Sequence, residues 1–226
     1  PTPDASATTA MQHTMQTARA LQPHSRKEAT IAALETERFQ RERTMRVSLT
    51  ATAEVTSAFA LAEVVLDEPF HNNRNFWFTG QFSATETISV TDGMLRIHWQ
   101  GKGASYEVYV EDLVDFIAEV TCQVVAGGRD GGCGIVFGQN REQGFYEFEV
   151  YSDYYRLTLY QVGQEPETLL EGNPADVFRP AAANHLRVIR RNDEARLYLN
   201  EVLLARHTDT TFQRGRVGLS SRSYNE

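Results

Sequence analysis

The clearest alternation of apolar and polar positions lies in FYEFEVYSDYYRLTLY, residues 145–160. With Ser152-Asp153 as a two-residue turn of type I′, this segment predicts a β-hairpin in which Tyr151 lies opposite Tyr154. One face of the hairpin is then wholly apolar and pairs Val150 with Tyr155, Phe148 with Leu157, and Tyr146 with Leu159. A slip of one residue would mix the two faces, so the pattern itself favours this register.

The opposite face of the hairpin is the candidate ligand-binding surface. It places Glu149 opposite Arg156, Glu147 opposite Thr158, and Phe145 opposite Tyr160. We expect this face to be exposed and to bind a glycan, because aromatic rings stack on the apolar faces of sugars and charged groups bind their hydroxyls. The candidate binding residues are Glu147, Glu149, Tyr151, Tyr154, Arg156 and Tyr160. The alternative is an ordinary cross-strand pair of Glu149 and Arg156 on a solvated face.

After Pro69 the chain continues in short alternating segments separated by Gly, Asp and Asn. Asp92-Gly93 predicts a hairpin between TETISVTDG and MLRIHWQ, and Asn200-Glu201 predicts another. The second hairpin pairs Leu199 with Val202 and Leu197 with Leu204. About ten short strands at regular spacing are typical of an antiparallel β-sandwich or jelly roll. The predicted fold class is therefore mainly β.

Residues 1–63 have a different composition, with no glycine and few aromatic residues but much Ala, Thr, Gln, Glu and Arg. Ser25 and Glu28 form a capping box, and Glu37 with Arg41 is one of several charge pairs that support a helix. We therefore predict a helical stalk or linker over residues 1–63 and a β-sandwich over residues 64–226. A helix that lies against the sandwich is the alternative to a stalk.

The two cysteines flank a glycine-rich segment, VVAGGRDGG. The runs on either side, DFIAEVTCQVV and CGIVFG, predict the two strands of a hairpin. Cys122 and Cys133 would then face each other and form a disulfide. The alternative is two buried free thiols. A disulfide would imply an oxidising compartment.

Composition narrows the classes of partner. The formal net charge of the 226 residues is −8, which argues against a nucleic-acid partner because phosphate binding needs a basic excess. No run approaches the roughly 18 apolar residues of a membrane span, and no signal peptide is visible. Membrane association would therefore require an anchor outside this sequence.

The order of segments along the β region resembles that of a known family. FHNNRNFWFTG is followed by VTDGMLRI, DFIAEV, GGCGIVFG, the hairpin at 145–160, NHLRVIRRNDEARLYLNEVLL and GRVGLSS. This order resembles the concanavalin A-like lectin/glucanase sandwich in the laminin G-like form of bacterial surface proteins, over residues 66–226. With the helix ahead of it, the resemblance implies an extracytoplasmic location, at the cell surface or on the periplasmic face of a bacterial membrane.

The resemblance also implies an unfinished sheet. Members usually end with a further strand after the G-x-V-G-L segment, whereas this sequence ends at Glu226. The final strand therefore looks absent, and this would leave an open sheet edge after Leu219. We expect that edge to be covered by the N-terminal segment, by a further C-terminal tail or by a neighbouring subunit. Such an edge exposes unpaired backbone groups that can pair with a second chain.

The resemblance raises two questions of chemistry, hydrolysis and calcium. Enzymatic members carry Glu-x-Asp-x-x-Glu on one strand, but here Glu147 and Glu149 lack the central Asp and Arg156 faces one of them. Retaining hydrolysis needs carboxyls about 5–5.5 Å apart, whereas alternate strand residues lie roughly 6.5–7 Å apart. We therefore expect no enzyme activity. Calcium is the candidate cofactor because several members bind it, with Asp67 as the candidate ligand.

The leading functional hypothesis is non-enzymatic recognition or adhesion outside the cytoplasm, with a glycan or a surface protein as partner. The alternative is a structural subunit of a membrane-associated or extracellular assembly. Homo-oligomerisation or a larger assembly would then use the N-terminal helix and the open sheet edge. A glycoside hydrolase is the least favoured hypothesis.

Overall fold

The structure is a computed structural model of the 226-residue chain. It describes Glu37, Ala53, residues 55–58, Ala60, and residues 62–101, 103–109, 111–126, 131–174 and 176–223. The chain divides into two units, Pro1–Thr50 and Ala51–Glu226. Most of the predicted stalk, and with it the proposed self-association through the helix, lies outside the described residues.

The described part of the second unit is built almost entirely from antiparallel strands. In chain order these are β1 (Gly80–Gln81), β2 (Glu86–Thr91), β3 (Met94–Trp99), β4 (Gly103–Val108), β5 (Phe116–Cys122), β6 (Gly131–Asn140), β7 (Gly144–Val150), β8 (Tyr155–Gln161), β9 (Glu167–Gly172), β10 (Asn184–Arg191), β11 (Glu194–Leu199), β12 (Val202–Thr208) and β13 (Arg216–Ser223). The mainly β, antiparallel fold class is confirmed. The sequence patterns missed the two-residue β1 and the whole of β9.

Two sheets enclose the hydrophobic core. The larger has the order β4-β13-β6-β7-β8-β9, the smaller has the order β12-β11-β10-β5, and β1-β2-β3 form a separate small sheet. The core is filled by alternate residues from both large sheets, among them Phe148, Leu157, Leu186, Val188 and Leu197. Burying one face of each sheet is the main source of stability for this architecture.

The register of the hairpin at 145–160 is confirmed. Every predicted pair from Val150 with Tyr155 to Phe145 with Tyr160 is present. The Tyr151 N–H donates to the Tyr154 carbonyl at 2.9 Å. The predicted turn type is wrong, because neither Ser152 nor Asp153 has the positive φ that a type I′ turn requires.

The other two hairpins are present, one with a local irregularity. Asp92 and Gly93 have φ angles of 53° and 71°, as a type I′ turn requires. In the second hairpin Leu199 pairs with Val202 as predicted, but Leu197 lies opposite Ala205 because a β-bulge follows it. The bulge shifts the register by one residue.

Cys122 and Cys133 form a disulfide, with their Cα atoms 6.6 Å apart. The predicted hairpin between them is nevertheless wrong, because β5 and β6 belong to different sheets. β5 pairs with β10, where Cys122 lies opposite Asn184. β6 pairs with β13 and β7, where Cys133 lies opposite Val150. The disulfide therefore joins the two layers of the sandwich.

The last described strand does not form an open edge. β13 lies between β4 and β6, with Leu219 opposite both Glu107 and Ile135. The expectation that this edge is covered is confirmed, but the expected covers are wrong, because β4 pairs with this strand. The proposal of assembly through that edge has no basis in this fold.

A short helical segment covers part of the outer surface of the smaller sheet. Residues 55–58 are helical. Val55 and Ala58 pack against Ile189 and Tyr198, two buried residues that face away from the main core. For these residues the structure agrees with the alternative to a stalk, a helix that lies against the sandwich.

We predict that the disulfide contributes substantially to stability. Replacing both cysteines by serine should lower the free energy of unfolding by about 3 kcal/mol, because the bond restricts the unfolded chain across a short loop. Urea unfolding of the oxidised protein and of the double variant measures the difference. Reduced wild-type protein is the control and should unfold with the variant. Equal midpoints for the oxidised protein and the variant would contradict the prediction.

We also predict that the helical segment stabilises the sandwich. Val55→Asp should lower the free energy of unfolding by about 1–2 kcal/mol, because it places a carboxylate against Ile189 and Tyr198. Ala53→Asp is the matched control, since Ala53 is helical but exposed. Thermal and urea unfolding compare the two. A loss of similar size in both variants would show that the helix, not its packing, is responsible.

Candidate functional site

The face of the larger sheet that points away from the core carries the predicted site, and we call it the polar face. Along β7 the side chains alternate: Phe148 and Val150 enter the core, while Glu147 and Glu149 point to the polar face. Cross-strand pairing adds Arg156 from β8 opposite Glu149. The predicted residues are thus brought together on one side of the sheet.

The polar face is not the exposed surface that the sequence pattern predicted. Glu147 and Glu149 are each only 1% exposed, and Tyr151 is 0% exposed. Tyr154, Arg156 and Tyr160 are partly buried. The expectation of exposure was wrong, and Arg222 from β13 reaches both carboxylates.

An ion network compensates the two buried carboxylates. The Arg222 Nη2 donates to Glu147 Oε2 at 2.6 Å, and its Nε lies 2.8 Å from Glu149 Oε1. The Arg156 Nη2 donates to Glu149 Oε2 at 3.0 Å, and the Tyr151 hydroxyl donates to Glu149 Oε1 at 2.8 Å. The predicted Glu149–Arg156 pair is therefore present, but it is buried and forms part of a larger network.

Arg222 is the central residue that the sequence reading missed. It lies in β13, and 75 positions separate it from Glu147. Only the pairing of β13 with β6, which puts Arg222 opposite Gly132, brings it beside β7. The sequence showed an arginine within a predicted strand, but a strand pattern does not reveal which residues of other strands lie beside it.

Burial sets the protonation behaviour of the network. It raises the pKa of Glu149, as does the nearby charge of Glu147, while Arg222, Tyr151 and Arg156 act in the opposite direction. Burial also raises the pKa of the Tyr151 and Tyr160 hydroxyls, with the nearby carboxylates acting in the same sense. Both phenols are therefore neutral hydrogen-bonding groups at physiological pH.

A row of aromatic rings crosses the polar face beside the network. The ring centroids of Tyr106 and Phe145 are 5.2 Å apart, and those of Phe145 and Tyr160 are 4.7 Å apart. The Arg222 guanidinium lies 5.2 Å from the Tyr160 centroid, at cation–π distance. We call Tyr106, Phe145 and Tyr160 the ring row. A separate stacked pair, Tyr151 and Tyr154, has centroids 4.2 Å apart.

A cleft opens at the Phe145 end of the polar face. Its volume is about 710 Å³, and the residues that line it include Tyr106, Glu107, Gln139, Arg141, Phe145 and Arg216. Two rings of the ring row, Tyr106 and Phe145, thus form part of its wall. No residue of the cleft was among the predicted binding residues.

In the described part of the chain, no further metal ligands surround Asp67, the candidate calcium ligand. Asp67 is exposed, and its backbone carbonyl accepts a hydrogen bond from Arg74 Nη2 at 2.7 Å. Among the described residues, no three histidine, cysteine or acidic side chains converge on a metal position. Calcium binding at Asp67 remains a prediction from the sequence. Within the same residues, no helix is long and apolar enough to cross a membrane.

Solved structures with a similar fold are known. The carbohydrate binding module CBM66 from Bacillus subtilis is 19% identical, with a TM-score of 0.56, and the match covers 70% of this chain and 97% of that chain. A protein of unknown function with a galectin-like fold, also from Bacillus subtilis, is 13% identical, with a TM-score of 0.53 and coverage of 71% and 90%. No family model and no curated protein matches the sequence.

These likenesses show the fold, a β-sandwich similar to those of the two solved structures. The sandwich part of the predicted resemblance is therefore confirmed. The laminin G-like form and the bacterial surface-protein context remain predictions.

We predict that Arg222 is needed to keep the carboxylates buried. Arg222→Gln should lower the free energy of unfolding at pH 7 by about 3–5 kcal/mol, because it leaves buried charge without its partner. The pKa of Glu149 is already raised in the folded protein, and losing Arg222 raises it further. The folded state then binds more protons than the unfolded state, so the variant's stability should fall as pH rises above the pKa of a free glutamate.

Urea unfolding from pH 5 to pH 8 measures this effect. Arg214→Gln is the matched control, because within the described part of the chain Arg214 forms only an exposed contact of 3.9 Å with Asp112. The control should lose less than about 1 kcal/mol. A loss for Arg222→Gln that is small, or that is the same at pH 5 and pH 8, would contradict the prediction.

Proposed function

We propose that this protein is a non-catalytic carbohydrate-binding protein that acts outside the cytoplasm. The observation that carries the proposal is the ring row. Tyr106 is 44% exposed, and its ring continues through Phe145 to Tyr160 across the polar face. Sugars present apolar C–H faces that pack on such rings, and the rings lose little conformational entropy on binding.

The ion network contacts the ring row through Arg222. Arg222 contacts both carboxylates and also lies against the Tyr160 ring. Side chains held by several contacts are already ordered before a ligand arrives, which lowers the entropic cost of binding. Glu147, Glu149 and Tyr151 therefore act as supports for the surface rather than as ligand contacts.

The same contacts argue for a non-catalytic role. A raised pKa, as at Glu149, is the direction that a general acid requires. However, both oxygens of Glu149 are engaged by Tyr151, Arg156 and Arg222, and Glu147 is also bound to Arg222. A retaining hydrolase needs one carboxyl free to donate a proton and another free to reach the sugar. Buried and paired carboxylates do not meet that need.

Two further observations support the proposal. A disulfide such as Cys122–Cys133 persists in oxidising compartments, which favours a location outside the cytoplasm. The solved structure from Bacillus subtilis with a similar fold is itself a carbohydrate binding module. The alternative of an assembly subunit depended on the N-terminal helix and on an open sheet edge. The second does not exist at β13, because β13 is an internal strand.

We predict that glycan binding depends on Tyr106. A glycan array identifies a ligand, and calorimetry then compares the wild-type protein with Tyr106→Ala. Losing one exposed stacking ring should weaken binding about fivefold, equivalent to roughly 1 kcal/mol. Met94→Ala is the matched control, because Met94 is 45% exposed and lies outside the ring row.

Prolonged incubation with the bound glycan should release no shorter product. The absence of binding across the array would overturn the proposal. Equal affinities for Tyr106→Ala and Met94→Ala would remove the ring row from it, and hydrolysis of the glycan would show that the protein is an enzyme.

A further inference from the structure

We propose that the cleft at the Phe145 end of the polar face binds a carboxylate-bearing sugar, a hexuronic acid residue of a glycan. The inference rests on the proposed carbohydrate-binding function and adds the chemical class of the ligand. It follows from three features of the cleft: an unpartnered buried acceptor, unpaired guanidinium groups, and aromatic walls.

The unpartnered acceptor is the side-chain carbonyl of Gln139. This residue is 7% exposed and lines the cleft, and its Oε1 has no hydrogen-bond partner. A buried acceptor left without a donor destabilises the free protein, so a ligand hydroxyl that donates to it would bind favourably. Sugars carry such hydroxyls on every ring.

The unpaired guanidinium groups belong to Arg141 and Arg216. Both line the cleft, and Arg216 lies directly opposite Gln139 in the β6–β13 pairing. Within the described residues neither side chain forms a hydrogen bond or an ion pair. The chain contains 30 acidic residues against 22 lysines and arginines, so nearby anionic partners would be expected by composition alone.

Guanidinium groups bind carboxylates through paired, charge-assisted hydrogen bonds. The position of Arg216 beside Gln139 would let one ligand present a carboxylate and a hydroxyl to adjacent residues. A uronic acid carries both groups on one ring, whereas a neutral sugar has only the hydroxyls. This combination selects the acidic sugar.

The walls and size of the cleft suit a sugar ring. Tyr106 and Phe145 provide aromatic surface, and the volume of about 710 Å³ falls within the range of roughly 300–1,000 Å³ typical of ligand pockets. Glu107 also lines the cleft and accepts a hydrogen bond from the Phe78 N–H. The two guanidinium groups of Arg141 and Arg216 outnumber this single carboxyl among the lining residues.

The test uses trigalacturonic acid and trimannuronic acid, each against its fully methyl-esterified form, which keeps the ring hydroxyls but removes the charge. Calorimetry at 150 mM salt should show that the wild-type protein binds at least one acid about tenfold more tightly than its ester. Arg216→Gln should abolish this preference, because it weakens binding of the acid more than binding of the ester. Gln139→Leu should weaken acid and ester alike, several-fold, because it removes the hydroxyl acceptor.

The variants separate this inference from the proposed function. Thermal midpoints of both variants should match that of the wild type, and Gln139→Leu should fold normally because it replaces an unpartnered buried amide by an apolar group of similar size. Equal affinity for acid and ester, with Tyr106-dependent binding of neutral glycans, would overturn the acidic ligand and keep the carbohydrate-binding function. Failure of both acids to bind at 10 mM would also overturn it, as would binding unaffected by either variant.

Discussion

The pair of buried carboxylates on β7 is the constraint on which the larger sheet depends. Glu147 and Glu149 point to the same face and are almost fully buried, so their charges must be compensated inside the protein. Arg156 reaches one of them from the adjacent β8, and Arg222 reaches both from β13, across β6. The strand order β13-β6-β7-β8 therefore brings both arginines within reach of the two carboxylates.

The packing of the network against β6 requires glycine at two positions of that strand, Gly132 and Gly134. A Cβ at Gly132 would lie 2.5 Å from the Tyr151 ring, and a Cβ at Gly134 would lie 2.6 Å from Ser220 Oγ and 2.5 Å from the Phe148 carbonyl oxygen. Only glycine allows neighbouring groups to approach the strand so closely. Gly132, from the glycine-rich segment between the predicted strands, and Gly134, from the strand itself, thus both serve the packing of the polar face.

The sequence predicted the local parts of this structure well and the long-range parts poorly. The register of the hairpin at 145–160 depends on alternation within one short segment, and all of its pairs are present. The partners of β13 and Cys122, by contrast, are set by strands distant in the chain. The burial of Glu147 could not be read from β7, because the residue that compensates it is 75 positions away. For the same reason the cleft left no local motif: Gln139 and Arg216 become neighbours only through the pairing of β6 with β13.

The polar face therefore divides into two parts that differ in what they leave for a ligand. In the network both oxygens of Glu149 and the Oε2 of Glu147 already have a cationic or hydroxyl partner, so a ligand would have to break existing interactions to bind there. At the Phe145 end, Gln139 Oε1 is unpartnered and the Arg216 guanidinium is unpaired among the described residues, so contacts made there would be a net gain. The ring row lies between the two parts and is held in place by the first. Charged residues that stand out in a sequence can thus be the supports of a binding surface, while the groups free to bind lie where strands from distant parts of the chain meet.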